Sequence, residues 1–160
     1  MPATPIEIVS VGAKVLYCVE TTGGTRPTTG YTELVGISAA PGFDMTPETI
    51  DVSDITDTIT QYVNGRQDPG GDAQFTLNHS EVSITTWETM VTAANTALAQ
   101  GKRCWFEYKY PAATRSYFWC GRPLTLGNGG IEQNAASTIP AHVIPNGEFE
   151  WATASTSPAA

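Results

Sequence analysis

Apolar residues recur at the helical period in one stretch of this chain and nowhere else. Ile84, Trp87, Val91, Ala94 and Leu98 stand at i, i+3, i+7, i+10 and i+14, a single stripe at the 3.6-residue period. Thr85-Thr86-Trp87-Glu88 fits a capping box, and Gly101 stands where a helix C-terminal glycine belongs. Five threonines between Thr85 and Thr96 lower the intrinsic helicity, so this helix has to be held by docking its stripe on something else. The rest of the chain offers only β structure: 15 Gly and 11 Pro among 160 residues punctuate short β-branched and aromatic runs. A helical bundle, a coiled coil and a wholly disordered chain are excluded. The length fits one domain, large enough to bury about 70% of its unfolded surface without a metal or disulfide staple.

The expected strands run on both sides of the helix. Lys14–Glu20 is the first and Glu33–Ile37 the second, with a Gly- and Pro-containing loop between them. Thr49–Ile55 is the third. Thr56–Gly71, with turn signals at Asn64-Gly65 and Asp68-Pro69-Gly70-Gly71, reads as a long loop or hairpin tip, of a length that usually serves function. Asp72–His79 alternates cleanly, with Ala73, Phe75 and Leu77 on one face. After the helix, Arg103–Tyr110 and Arg115–Gly121 form an aromatic hairpin. A short strand is expected at Leu124–Leu126, and two final strands, Ala136–Ile144 and Glu148–Ala152, flank a Pro145-Asn146-Gly147 turn. The fold class is therefore α+β, mainly antiparallel β. Residues 1–13 read as an N-terminal arm, 14–152 as a single domain and 153–160 as a flexible C-terminal tail.

Charge removes several functions. Eight basic against 16 acidic side chains give −8, the wrong sign for gripping a phosphate backbone. No apolar run approaches the roughly 20 residues that span a bilayer. Met1-Pro2-Ala3-Thr4-Pro5-Ile6-Glu7 has neither a basic start nor a long apolar run, so no secretory leader is expected. Cys18, Cys104 and Cys120 are an odd number at no metal-ligand spacing, and read as free thiols of a protein made in a reducing cytosol. Cys104 and Cys120, on paired hairpin arms, are the one pair expected to lie close. Only 15% of residues are charged, against about 25% in ordinary soluble proteins, which points to a surface largely covered by something else.

No motif demands catalysis. His79 and His142 read as surface or structural, and no G-x-S-x-G elbow exposes a serine between them, which leaves a small hydrolase as a weak alternative. Asp51, Asp54 and Asp57 sit in a polar run rather than a burying pocket, and lack the Gly and terminal Glu of a calcium loop. The glycines at 70–71 and 129–130 are followed by no Gly-Lys-Ser/Thr, so no phosphate loop is present. No cofactor is expected. Trp105, Tyr117 and Trp119 offer a sugar-stacking platform, the basis of a carbohydrate-binding alternative, but alternating aromatics on an internal strand pair read first as core and interface filling.

Two charged segments stand out. Asp44, Glu48, Asp51, Asp54 and Asp57 have no base among them, whereas Lys102, Arg103, Lys109, Arg115 and Arg122 oppose Glu107 alone. Complementary patches of this kind suit a protein that binds copies of itself head to tail, with the two segments meeting across a subunit interface.

The order of features over about residues 10–152 resembles the major tail tube protein of long, non-contractile-tailed bacteriophages. The resemblance is carried by the Lys-Val-Leu-Tyr strand after a short arm, Glu48–Asp54, and Tyr62–Asp72 leading into a Phe-Thr-Leu strand. It continues through the single helix, the Trp-Phe-Glu-Tyr strand, Phe118-Trp119-Cys120-Gly121 and the late Gly-x-Phe-x-Trp strand. It implies a β-sandwich or small barrel with one flanking helix. It also implies hexameric rings stacked into a tube whose lumen holds a tape-measure protein and later double-stranded DNA, which passes without specific binding. Tail terminator and distal tail proteins would be the further partners, and the virion the location after assembly in the host cytoplasm. The arm and the 56–71 loop, Arg66 included, would bridge to neighbouring subunits. Tubes of contractile tails and type VI secretion are similar, so the fold alone does not separate these systems.

Overall fold

The structure, a computed structural model, describes residues 11–156. Most of the expected arm and the last four residues of the expected tail lie outside the described residues. Among the described residues, nine strands and one helix follow in chain order: β1 (Lys14–Val19), β2 (Thr32–Glu33), β3 (Ile37–Ala39), β4 (Pro47–Asp51), β5 (Tyr62–Gln67), β6 (Ala73–Asn78), α1 (Glu81–Ala99), β7 (Cys104–Lys109), β8 (Arg115–Pro123) and β9 (Thr138–Thr153). Seven strands form one antiparallel sheet in the order β2-β1-β7-β8-β9-β6-β3, and β4-β5 form a separate two-stranded sheet. The α+β, mainly antiparallel class expected from the sequence is the one observed, with the large sheet curled into a half-barrel.

The curl follows from chain connectivity. β2 and β3 are consecutive in sequence yet occupy opposite edges of the sheet. In a flat sheet those edges would lie about 29 Å apart at ~4.8 Å per strand. The link Leu34-Val35-Gly36 reaches at most about 14 Å at ~3.6 Å per residue. The sheet must therefore bend until its edges approach, and the link is bonded to both: Leu34 N donates to Val15 O at 2.8 Å, and Asn78 N donates to Gly36 O at 2.8 Å. Gly36, at φ +81°, also lies so close to the start of α1 that a Cβ would overlap the Ser83 hydroxyl. The single strand expected at Glu33–Ile37 is thus two short edge strands with this crossing between them.

One face of the sheet packs against α1. Phe75, Leu77, Phe106, Trp119, Ala141 and Val143 meet Trp87, Met90 and Ala94 in the main core. Trp119 sits at its centre, parallel to Phe106 at 4.6 Å and to Phe149 at 6.2 Å. The opposite face buries Leu16, Trp105, Phe118 and Cys120 under Tyr31 of the loop between β1 and β2.

α1 begins earlier than the capping-box reading placed it. Ser80 is the N-cap and accepts from Ser83 N at 3.1 Å. The buried line is Ser83, Trp87, Met90, Ala94 and Ala97, while Ile84, Val91 and Leu98 are half-buried at its flank. Gly101 closes the helix as expected: at φ +74°, with Gly101 N on Leu98 O and Lys102 N on Ala97 O, it completes a Schellman motif.

The C-terminal region corrects three expectations. Residues 138–153 form one 16-residue strand, not a hairpin. Neither Asn146 nor Gly147 has the positive φ that a two-residue hairpin turn requires. Instead β9 carries a bulge, since Trp119 pairs with Phe149 but Gly121 with Pro145. Gly147 lies where a Cβ would be 2.8 Å from the Cys120 Cβ. Leu124–Leu126 is not a strand, although Leu124 N donates to His142 O and Leu124 O accepts from the Trp87 indole at 2.9 Å. The tail expected from residue 153 is tied down further than that: Ala154 N donates to Thr114 O, and Ser155 is buried against Glu107.

Candidate assembly surface

The segment from Pro47 to Gln67 leaves the main sheet as a two-stranded hairpin. Asp51 pairs with Tyr62, Ile50 with Val63 and Thr49 with Asn64. Asn64-Gly65, expected as a turn, therefore lies inside β5, where a Cβ on Gly65 would sit 3.1 Å from Glu48 O. Six residues of the expected long loop, Tyr62–Gln67, are strand, and the tip of the hairpin runs from 52 to 61. The tip is knitted by Val52 N to Gln61 O and by Gln61 N to Ser53 Oγ at 2.7 Å.

The hairpin is wet on both faces. Ile50, Val52, Ile55, Ile59, Tyr62 and Val63 are all exposed, Ile55 at 99% and Ile59 at 73%. Charge counting along the sequence missed these side chains, because they are scattered singly through a polar run, and Ile50 and Val63 become neighbours only when β4 pairs with β5.

The carboxylates of this segment are also exposed. Asp51 accepts from Ser53 N at 2.9 Å, and the two Ser53 hydrogen bonds hold its carboxyl below the ordinary value. Asp54 N donates to Asp57 Oδ2 at 2.7 Å, and the Thr46 hydroxyl donates to Asp44 at 2.5 Å. Among the described residues none of Asp44, Glu48, Asp51, Asp54 or Asp57 makes an ion pair. Arg66 is exposed on β5.

The basic residues do not stand together. Arg103 serves the fold: it binds the fully buried Glu20 through Nε and Nη2, each at 3.3 Å, and lies over the Trp105 ring. Lys109 Nζ donates to Ser155 O at 2.8 Å, and Lys102 is half-buried. Arg115 and Arg122 are exposed but stand seven positions apart on β8, about 23 Å at ~3.3 Å per residue. A single basic patch is replaced by two separate cations.

The residues held in reserve for chemistry are kept apart. His79 Nδ1 meets Ser137 Oγ at 2.8 Å, and His142 Nδ1 meets Asp72 at 2.7 Å. The strand register separates them, Asn78 pairing with Thr138 and Gln74 with His142, so serine, histidine and aspartate do not converge. Trp105 and Trp119 are fully buried and offer no sugar platform. The exposed tryptophan is Trp151, which the sequence reading passed over. Cys104 and Cys120 stand one register step apart on the paired strands, as expected, but their side chains enter the cores on opposite faces of the sheet and so are not aimed at each other for a bridge. In register Cys120 faces Trp105. All three cysteines are free; burial raises each thiol pKa, that of Cys120 to about 12.

No protein-family model and no curated protein matches the chain. Solved structures share its fold, and two of them are the following. One is a chain of the anti-feeding prophage baseplate, symmetrised six-fold, with a TM-score of 0.59 and 7% identity, covering 96% of this chain and 98% of that one. The other is a chain of the tail of an empty GTA particle with C6 symmetry, with a TM-score of 0.52 and 12% identity, covering 87% and 96%. At these identities the likeness is one of fold: the architecture described above is one that occurs in tail and baseplate particles.

Proposed function

We propose that the chain is a structural subunit of a phage-type tail, acting by self-association rather than catalysis. In this reading its copies form hexameric rings that stack into the tube through which DNA is ejected. The observation that carries the reading is the β4-β5 hairpin, with six large apolar side chains in water. An isolated two-stranded hairpin is marginal at best, and an exposed apolar patch of this kind marks an interaction surface. Fold likeness to chains from two particles of six-fold symmetry supports the ring, and a net charge of −8 supports a wall that lets DNA pass unheld. The first partner is the chain itself; a tape-measure protein, terminator and distal tail proteins, and residence in the virion after assembly in host cytoplasm, belong to the same reading. Sedimentation velocity over a range of concentrations tests it. The expected result is a shift from monomer to rings and larger polymers, and a monomer at every concentration contradicts it.

A further inference from the structure

A hairpin that holds a neighbouring copy needs a surface on that copy to receive it. Trp151, near the end of β9, is 59% exposed although it is among the largest apolar side chains of the molecule. Tyr117 stands edge-on to it at 5.1 Å, and Tyr110 lies near-parallel at 6.5 Å. Two clefts, of about 550 and 640 Å³, meet at Trp151 and Arg115. Among the described residues their walls hold Arg26 and Arg115 as the only charged residues and no carboxylate. Arg26 is taken by Glu150 at 2.7 Å, whereas Arg115 makes no ion pair among the described residues. The hairpin tip is the complement. Residues 52–61 carry Asp54 and Asp57, no basic residue, and the projecting Ile55 and Ile59. A third cleft, beside Phe43, also reaches Trp151, but it has Glu33 on its rim and its one cation, Lys14, already faces Glu33 at 3.7 Å.

We infer that the hairpin tip of one copy seats Ile55 and Ile59 in the Trp151 cleft of the next, with Asp54 on Arg115. The inference rests on the self-assembly reading above and names the receiving surface. Tip and cleft are different parts of the molecule, so the contact is heterologous and repeats in one direction, as a ring or filament requires. Apolar seating supplies the affinity, and the ion pair sets polarity and rate.

The test uses p-benzoylphenylalanine, a photo-crosslinking residue, placed at Ile55. The position is almost fully exposed, so the fold is left intact; Ile59 serves as a second site should the first block assembly. Isotopically light and heavy protein are mixed, assembled and irradiated, and cross-linked peptides are mapped. Light–heavy links from position 55 to residues 110–115 or 151–156 are expected, lost with Arg115→Glu and regained when Asp54→Arg is added. Links from assembled protein to any other segment overturn the cleft while leaving self-assembly intact. Failure of the unsubstituted protein to assemble overturns both.

Discussion

Glu20 is a carboxylate with no water left to it. It accepts from Arg103 N at 2.6 Å and Trp105 Nε1 at 3.2 Å as well as from the Arg103 guanidinium. Burial pushes its pKa up, but the hydrogen bonds from Arg103, Trp105 and Gly24 together outweigh that and hold it below the ordinary carboxylate value. A depressed folded pKa means stability that is present above the unfolded value of about 4.3 and lost as pH falls through the folded one. Glu20→Ala is expected to cost about 3–5 kcal/mol at neutral pH, as removal of one partner of a buried pair does. Urea unfolding checks it: the gap from the unsubstituted protein should narrow below about pH 4, and a gap that ignores pH would contradict this account. None of it was legible in the sequence, because Arg103 lies 83 positions from Glu20. Two of the three Asn-Gly pairs, Asn64-Gly65 and Asn146-Gly147, misled for the same reason. Gly65 and Gly147 are glycines because another strand's backbone or Cβ lies against them, a fact about the partner strand that the local pattern does not carry.

At the scale of elements, the helix was the most legible part, since its signal is local and its Schellman glycine stands in the sequence. The stripe was read about one residue off centre. Met90 and Ser83, not Val91 and Ile84, face the core squarely, because the sheet decides which side of a threonine-rich helix is covered. Trp87 is common to both readings. It is fully buried, and its indole donates to Leu124 O. Trp87→Ala should cost about 3–5 kcal/mol, read as a clear fall in melting temperature; a transition unmoved within a degree would show that α1 is not docked through this residue. β9 and the β4-β5 hairpin were the least legible. Whether a Pro/Gly run ends a strand or bulges it depends on the neighbour that continues alongside. The acidic half of the candidate surface could be found by counting charges. The apolar half, and the cleft at Trp151, exist only after pairing.

At the scale of the whole molecule, a curled sheet closed by a three-residue link forms the body of the domain, and from that body projects one hairpin that the domain itself does not cover. Five carboxylates of the 44–57 segment face water without ion pairs among the described residues, while the cations of the 102–122 segment are divided between internal work and two separate exposed sites. Such a surface keeps its polarity until a second copy arrives. Self-assembly in one direction is the property that joins these observations, and negative-stain electron microscopy of concentrated protein tests it most directly. The account predicts rings about 100 Å across, from six small domains around a DNA-wide channel, stacking into tubes of the same width. A field of isolated monomers at concentrations where the protein is folded would contradict it.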